Sequence, residues 1–453
     1  MYMAKEKTWY VCRECGNTSP KWMGQCSACK AWNTLEEKTS LPVSASASGK
    51  KGGTVLSFEE HNKKRAHSRV RISAGLKETD RVLGGGFFPD SLTLLVGNPG
   101  IGKSTLALQI AISIAKAHPN ETVFVFSGEE SAFQVCGRGE RLGGLPQNLK
   151  VTSAYSIEDV DATTEKYHPF FVVVDSVQTF TAGGIPSAPG SVPQIRAVTE
   201  TLMHTAKKRN IPVLLIGQVN KGGEMAGPQT LAHLVDTVLS FEGDDGHELR
   251  VLRSIKNRFG STSEVGIFEM KSDGLHEVKN PSAAFLSGRL SGAIGSVIFP
   301  SVEGNRPCLV EIQALTATSP FGLPKRSSSG IPLQRLALLL AVLEKHANIK
   351  LASFDVFANV IGGLKIEETA ADLAIILAAA SSRKKKPLPE KMLVIGEVGL
   401  SGEVRAVSHL EKRLKEGEKM GFTHAIVPAA QKLPKTKMVL HPVRTITEAL
   451  QNV

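Results

Sequence analysis

The strongest constraint on this 453-residue chain is the run Gly97-Asn98-Pro99-Gly100-Ile101-Gly102-Lys103-Ser104, followed by Thr105. It fits G-x-x-x-x-G-K-[ST], a loop whose backbone N–H groups cradle phosphate. Glycine at 97, 100 and 102 lets the chain turn those N–H groups inward and leaves room for close approach. Lys103 is placed to reach the β- and γ-phosphates, and the Ser104 hydroxyl to ligate Mg²⁺. The flanks agree: residues 91–96 read as a buried strand entering the loop, and 106–112 as a helix leaving it with its N-terminus toward the anion. A nucleotide site is expected here.

With 54 basic and 43 acidic residues the chain carries a net charge of +11. That excess favours a polyanionic partner, nucleic acid before others. The chain is too long for one compact core, so two or three domains are expected. No segment approaches the roughly 20 apolar residues that span a bilayer, and residues 1–7 hold no apolar signal core. Four of the six cysteines cluster near the N-terminus, while Cys136 and Cys308 stand alone. This usage suits a reducing, cytoplasmic compartment and no membrane.

Cys12-x-x-Cys15 and Cys26-x-x-Cys29 form two thiolate pairs ten residues apart. Four thiolates complete the tetrahedral shell of a structural Zn²⁺ with no open position. A module over 1–38 has too little core to fold without the metal. Trp9, Trp22 and Trp32, the only tryptophans of the chain, all fall in it. They either pack around the knuckle, the reading favoured for at least one, or offer a stacking surface to a base or a partner protein. Residues 39–53, rich in Ser, Ala and Gly, read as a flexible linker.

From 54 to 285 strand and helix patterns alternate, as in a mostly parallel α/β sheet. The apolar runs 123–126, 170–174 and 212–216 each end in polar residues, at the sheet edge where ligands bind. Asp175 suits the acid that holds Mg²⁺ through water. Glu129 suits the general base that orients or deprotonates the attacking water, with Glu130 as its competitor. Gln218 suits a γ-phosphate sensor. Gly-rich stretches at 181–191 and 221–228 read as mobile loops suited to backbone phosphate contacts. Lys256 and Arg258, in Lys256-Asn257-Arg258-Phe259-Gly260, are cations placed either for a neighbouring subunit's γ-phosphate or for DNA in a ring channel.

The order of phosphate loop, Glu, hydrophobic-Asp-Ser and Gln resembles the RecA-type ATPase core. The thiolate pairs, the phosphate loop and above all Lys256-Asn257-Arg258-Phe259-Gly260 resemble the RadA (Sms) family of bacterial recombination and repair proteins. That resemblance implies a DNA-stimulated ATPase forming a homo-oligomeric ring, a hexamer by expectation. It further implies translocation on single-stranded DNA, branch migration of branched recombination intermediates, and a RecA-type recombinase as partner. ATP, Mg²⁺ and Zn²⁺ are the implied cofactors.

The segment 286–453 is similar to the Lon protease domain, on the stretches 355–360, 362–377 and 395–405. Lon uses a Ser nucleophile activated by a Lys. On Thr369-Ala370-Ala371-Asp372 the Ser position is Ala370, and the Lys position falls near Glu411, with Lys412 beside it. The domain therefore reads as proteolytically inactive, with Thr369 or Ser381 the only improbable substitutes. Lys325, Arg326, Arg383, Lys384, Lys385 and Lys386 suggest a scaffold that holds DNA or steadies the ring. The expected architecture is an α/β RecA-like core between a small zinc knuckle and an α/β Lon-protease-like domain. An ATP-driven DNA motor is preferred over an ATP-dependent protease and over an ATP-switched DNA scaffold.

Overall fold

The computed structural model describes residues 8–13, 17–39, 70–218, 228–243, 249–319 and 324–452. Residues 40–53 of the linker expected at 39–53, nearly all of the second Gly-rich stretch and Cys15 lie outside the described residues. The N-terminal module is a three-stranded antiparallel sheet of β1 (Thr8–Cys12), β2 (Thr18–Ser19) and β3 (Leu35–Thr39), in the order β2-β1-β3. Among the described residues its core is Cys12, Cys26 and Leu35, with Tyr10 packed against them. Such a core is too small to offset chain entropy unless a metal adds to it.

Contact clustering divides the chain into two compact units. The first holds β4 (Leu92–Gly97), β5 (Val123–Ser127), β6 (Leu149–Ser153), β7 (Phe171–Asp175), β8 (Val213–Gln218) and β9 (Thr237–Gly243, its first five residues). They pair in the order β9-β4-β8-β7-β5-β6, every pairing parallel. Strands β4, β5 and β8 are buried almost end to end, as a sheet covered on both faces requires. Helices Lys103–Ala117, Ile157–Tyr167 and Val192–Arg209 make the crossovers. This is the doubly wound α/β core that the strand–helix alternation predicts.

Where one boundary is expected at 286, the second unit takes Glu242–Arg253, Ser263–Lys271 and His276 onward, while Ser254–Thr262 and Ser272–Leu275 stay with the first. Packing explains the interleaving. Strands β10 (Leu249–Asn257) and β11 (Val265–Lys271) form an antiparallel hairpin. Val251, Val265 and Ile267 of that hairpin are buried in one cluster with Phe285, Val297 and Phe299. After the short β12 (Gly274–Glu277), the C-terminal sheet comprises β13 (Ser296–Glu303), β14 (Arg306–Thr318), β15 (Arg326–Ser329), β16 (Phe354–Val360), β17 (Met392–Val394), β20 (His424–Pro428) and β21 (Val439–Val443). Their order is β15-β16-β14-β13-β17-β20-β21, while β18 (Glu397–Val398) and β19 (Val404–Arg405) pair separately. Helix Asp372–Lys384, apolar on nearly every side, is buried along most of its length.

Candidate nucleotide site and its relatives

The site is built at the C-terminal edge of four adjacent strands, β4-β8-β7-β5. Strand β4 runs directly into the phosphate loop. Gly97 must be glycine: a Cβ there would stand 2.3 Å from the Phe241 carbonyl oxygen. Gly102 has φ +108°, a left-handed conformation that glycine adopts without strain, and it opens helix Lys103–Ala117. No side chain caps that helix, and no acid lies in its first turn. Its first N–H groups and the positive end of its dipole therefore stay available to an anion.

Lys103 is buried, and its ammonium donates to the carbonyls of Gly97 and Asn98, both at 2.8 Å. Burial pulls its pKa below the ordinary lysine value, against the attraction of Asp175 and Glu129. Asp175, at the end of β7, has its carboxyl pushed up to about 6, first by burial, while a hydrogen bond from Ser104 opposes the shift. The Asp175 carboxyl and the Ser104 hydroxyl that donates to it place two oxygen donors side by side. The pair Ser104 and Asp175 fits Mg²⁺, a hard ion that takes oxygen ligands.

Glu129 lies two residues beyond β5, and its Oε1 accepts from Gln218 Nε2 at 2.5 Å and from Ser176 Oγ at 2.6 Å. Its neighbour Glu130 is otherwise engaged, in an ion pair with Arg138 at 2.6 Å. The structure thus brings Lys103, Ser104, Glu129, Asp175 and Gln218 to one edge. Two participants went unassigned in the sequence. Ser176 follows Asp175 through a cis peptide and is fully buried; the Asp-Ser pair signals it. Arg138 sits two turns into helix Ala132–Arg141, where only a helical projection from Glu130 would find it.

Lys256 and Arg258 are not brought to the phosphate loop of their own chain. Lys256 Nζ donates to the carbonyls of Ala232 and Val235, at 2.5 and 2.8 Å. Arg258 Nη1 pairs with buried Asp236 at 3.0 Å, and Asp236 Oδ2 accepts from the Leu92 N–H at 3.2 Å. Leu92 is the first residue of β4, whereas the loop leaves its last. Phe259 stacks on Phe88 with ring centroids 4.3 Å apart. The 181–191 loop, expected to be mobile, is tied down instead. Buried Gln194 accepts from the Ala182 N–H at 2.7 Å and donates to the Ile185 and Ser187 carbonyls.

In the N-terminal module the Sγ atoms of Cys12, Cys26 and Cys29 all lie within 4.8 Å of one another, Cys12 and Cys29 at 3.6 Å. Sulfur atoms on the corners of a tetrahedron with bonds of about 2.3 Å stand about 3.8 Å apart, so the cluster fits zinc. Trp22 and Trp32 are exposed, at 56 and 70%. Packing around the knuckle, favoured from the sequence for at least one tryptophan, is therefore not what these two do.

In the C-terminal unit Ala370 is buried in the turn Thr369–Ala371, and its carbonyl accepts from the Gly396 N–H at 2.9 Å. Thr369 donates to Glu397 at 2.6 Å, and buried Ser381 binds the Gly295 N–H and the Lys386 carbonyl. Glu411 pairs with Lys415 at 2.7 Å, and Lys412 reaches Asn305. Buried Arg413 instead joins the two segments, binding Glu368 at 2.5 Å and the Pro300 carbonyl at 2.6 Å. Of the basic residues expected to hold DNA, Arg326 is committed to the Leu351 and Phe354 carbonyls and Arg383 lies over the Phe354 ring; Lys325 and Lys384 to Lys386 are exposed.

Comparison with known proteins agrees with this three-part architecture. Family models described as rubredoxin metal binding domain, AAA domain and subunit ChlI of Mg-chelatase match residues 10–37, 60–224 and 340–431. The DNA repair protein RadA of Bacillus subtilis is 46% identical over 431 residues, covering 94% of each chain. The chain belongs to the RadA family. Its RadA relatives from Aquifex aeolicus (44% identical, 99% of each chain) and Pseudomonas aeruginosa (46%, 94% of each) carry the same description. A RadA-family chain accordingly combines a zinc ribbon, an AAA-type ATPase core and a Lon-like domain in this order.

Proposed function

We propose that this RadA-family chain is a DNA-stimulated ATPase of recombinational repair. It acts as a homo-oligomeric ring, a hexamer, that translocates on single-stranded DNA and promotes branch migration and processing of recombination intermediates. It works in the cytoplasm alongside a RecA-type recombinase. The observation that carries the reading is the convergence of Lys103, Ser104, Asp175, Glu129 and Gln218 at one sheet edge, with Gln218 in contact with Glu129.

The residues of the loop, Gly97 through Thr105, hold the ATP phosphates, with Lys103 leaving its two carbonyls to meet the β- and γ-oxygens. Ser104 and Asp175 hold Mg²⁺, which when bound neutralises charge on the transferring phosphoryl group. Glu129, fixed by Ser176 and Gln218, orients and accepts the proton of the attacking water. Gln218 stands three residues before the Gly-rich 221–228 stretch, so a change in its contact with Glu129 on hydrolysis is passed toward DNA. Lys256 and Arg258 serve the site of a neighbouring subunit or the DNA, since their own loop lies at the far end of β4. Ala370 supports a Lon-like domain without proteolytic activity, used with Lys325 and Lys384 to Lys386 as a basic scaffold. No helix among the described residues is long and apolar enough to cross a membrane.

The test is ATP turnover with and without single-stranded DNA, alongside particle imaging of the assembly. Stimulation by DNA, abolished in Lys103→Ala, is the expected result. Turnover indifferent to DNA at every salt concentration overturns the motor reading.

A further inference from the structure

The exposed indoles of Trp22 and Trp32 take no part in the function so far. Both belong to the second knuckle of the zinc ribbon. The Gln25↔Trp32 bridge and the Asn33 N–H donating to the Gly24 carbonyl at 2.8 Å close that knuckle into a tight hairpin. The two rings approach the same glycine. A Cβ on Gly24 would lie 3.7 Å from Trp32 Cζ3 and 3.9 Å from Trp22 Cη2. The ribbon core of Cys12, Cys26 and Leu35 uses neither ring. Beside them stand Lys21 and Lys30, both exposed and neither in an ion pair among the described residues. The described acids of the ribbon, Glu36 and Glu37, are elsewhere, on β3, with Glu36 tied to Arg13 at 2.6 Å.

We infer that this knuckle is a stacking platform for single-stranded nucleic acid: Trp22 and Trp32 stack on unpaired bases while Lys21 and Lys30 meet the flanking phosphates. Each base offers a π-face whatever its identity, so such stacking is tolerant of sequence. A duplex keeps its base faces covered and offers nothing for the indoles to stack on. An apolar protein groove would take up the rings but leave both ammonium groups uncompensated, whereas a single strand alternates base and phosphate at short intervals. The inference rests on the reading that this chain acts on DNA, and it adds a contact outside the ATPase core.

The chain supplies its own probe, because its three tryptophans all lie in the ribbon. In full-length, zinc-loaded protein with Trp9→Phe, a thymidine oligomer is expected to quench the tryptophan emission. Trp22→Ala with Trp32→Ala is expected to weaken binding of that oligomer, by anisotropy, about 5- to 100-fold for each base no longer stacked. Lys21→Glu with Lys30→Glu is expected to reduce the slope of log affinity against log salt by about 1.4, two phosphate contacts on a single strand. Equal zinc content in all variants checks the ribbon fold, and the lysine pair decides the matter if the tryptophan pair loses metal. Oligomer binding with unchanged emission, and unchanged affinity and salt slope in the variants, overturns the platform and leaves the motor reading intact. Quenching by a RecA-type recombinase alone, with none by the oligomer, overturns it in favour of a protein-docking surface. The absence of both oligomer binding and DNA-stimulated turnover overturns this inference and the reading beneath it.

Discussion

Gln218 Nε2 donates to Glu129 Oε1 at 2.5 Å, although Gln218 ends β8 and Glu129 follows β5 by two residues, and these strands flank β7 on opposite sides. The contact crosses the end of the strand that carries Asp175. With Ser176 donating to the same oxygen, Glu129 is held by two neutral donors. Glu129→Gln is expected to lower kcat by about 10²–10⁴ while nucleotide still binds, as single-turnover and fluorescent-nucleotide measurements would show. Unchanged turnover would move the base to Glu130, which would first have to leave Arg138.

Ser176→Ala deletes only the 2.6 Å arm of that clamp and leaves the Gln218 contact in place. Its expected effect is a fall in kcat of about tenfold with KM for ATP unchanged, because the lost hydrogen bond positions the base and does not touch nucleotide. A rise in KM at constant kcat would place Ser176 in binding instead.

Asp175 gives the site a pH dependence whose sign is fixed by its environment. Its native pKa of about 6 lies above the unfolded value of 3.8, so the native chain prefers the protonated form. Ionising it costs the ligand-free fold up to about 3 kcal/mol as pH rises through that window. Asp175→Asn is therefore expected to raise the melting temperature of the ligand-free protein at pH 8 and to confer nothing below pH 4. In the wild-type protein, Mg²⁺-nucleotide affinity should fall as pH drops through 6, with proton release on binding detectable by calorimetry in two buffers.

The buried Arg413–Glu368 pair ties the two segments where a Lon-type nucleophile and lysine would meet. Arg413→Met leaves the Pro300 carbonyl without that donor and Glu368 with only Ser301 and the Val302 N–H, and a loss of about 1–3 kcal/mol in denaturant unfolding is expected. Adding Glu368→Leu should recover only part of it, because Ser301 and Val302 then lose their acceptor.

Chelation of the full-length protein should release about one zinc per chain, read with a chromogenic indicator, and Cys29→Ser should lower that affinity. Release of none would refute the thiolate assignment of Cys12, Cys15, Cys26 and Cys29.

Much of the core was legible because its signals are local. A phosphate loop needs its glycines within eight residues, and Asp175 and Gln218 each close an uninterrupted apolar run. What stayed hidden depends on distant partners. Nothing near Lys256 in sequence announces the Ala232 and Val235 carbonyls, and Asp236 reads as one more acid until Leu92 and Arg258 meet it. The glycine-rich 181–191 stretch looks loose until Gln194 is seen to pin three of its backbone groups. The early start of the second compact unit follows from apolar alternation at Val251, Val265 and Ile267, which period alone assigns to a strand but not to a core.

The buried acid Asp236 has a mechanical consequence. It fastens the Lys-Asn-Arg-Phe-Gly turn to Leu92, and from Leu92 the backbone of β4 runs about 20 Å without a bend to the phosphate loop. Strand β4 is paired on both sides, with β8 and with β9, so loop and turn are the two ends of one central strand, and a displacement at one end acts on the same hydrogen-bonded ladder that holds the other.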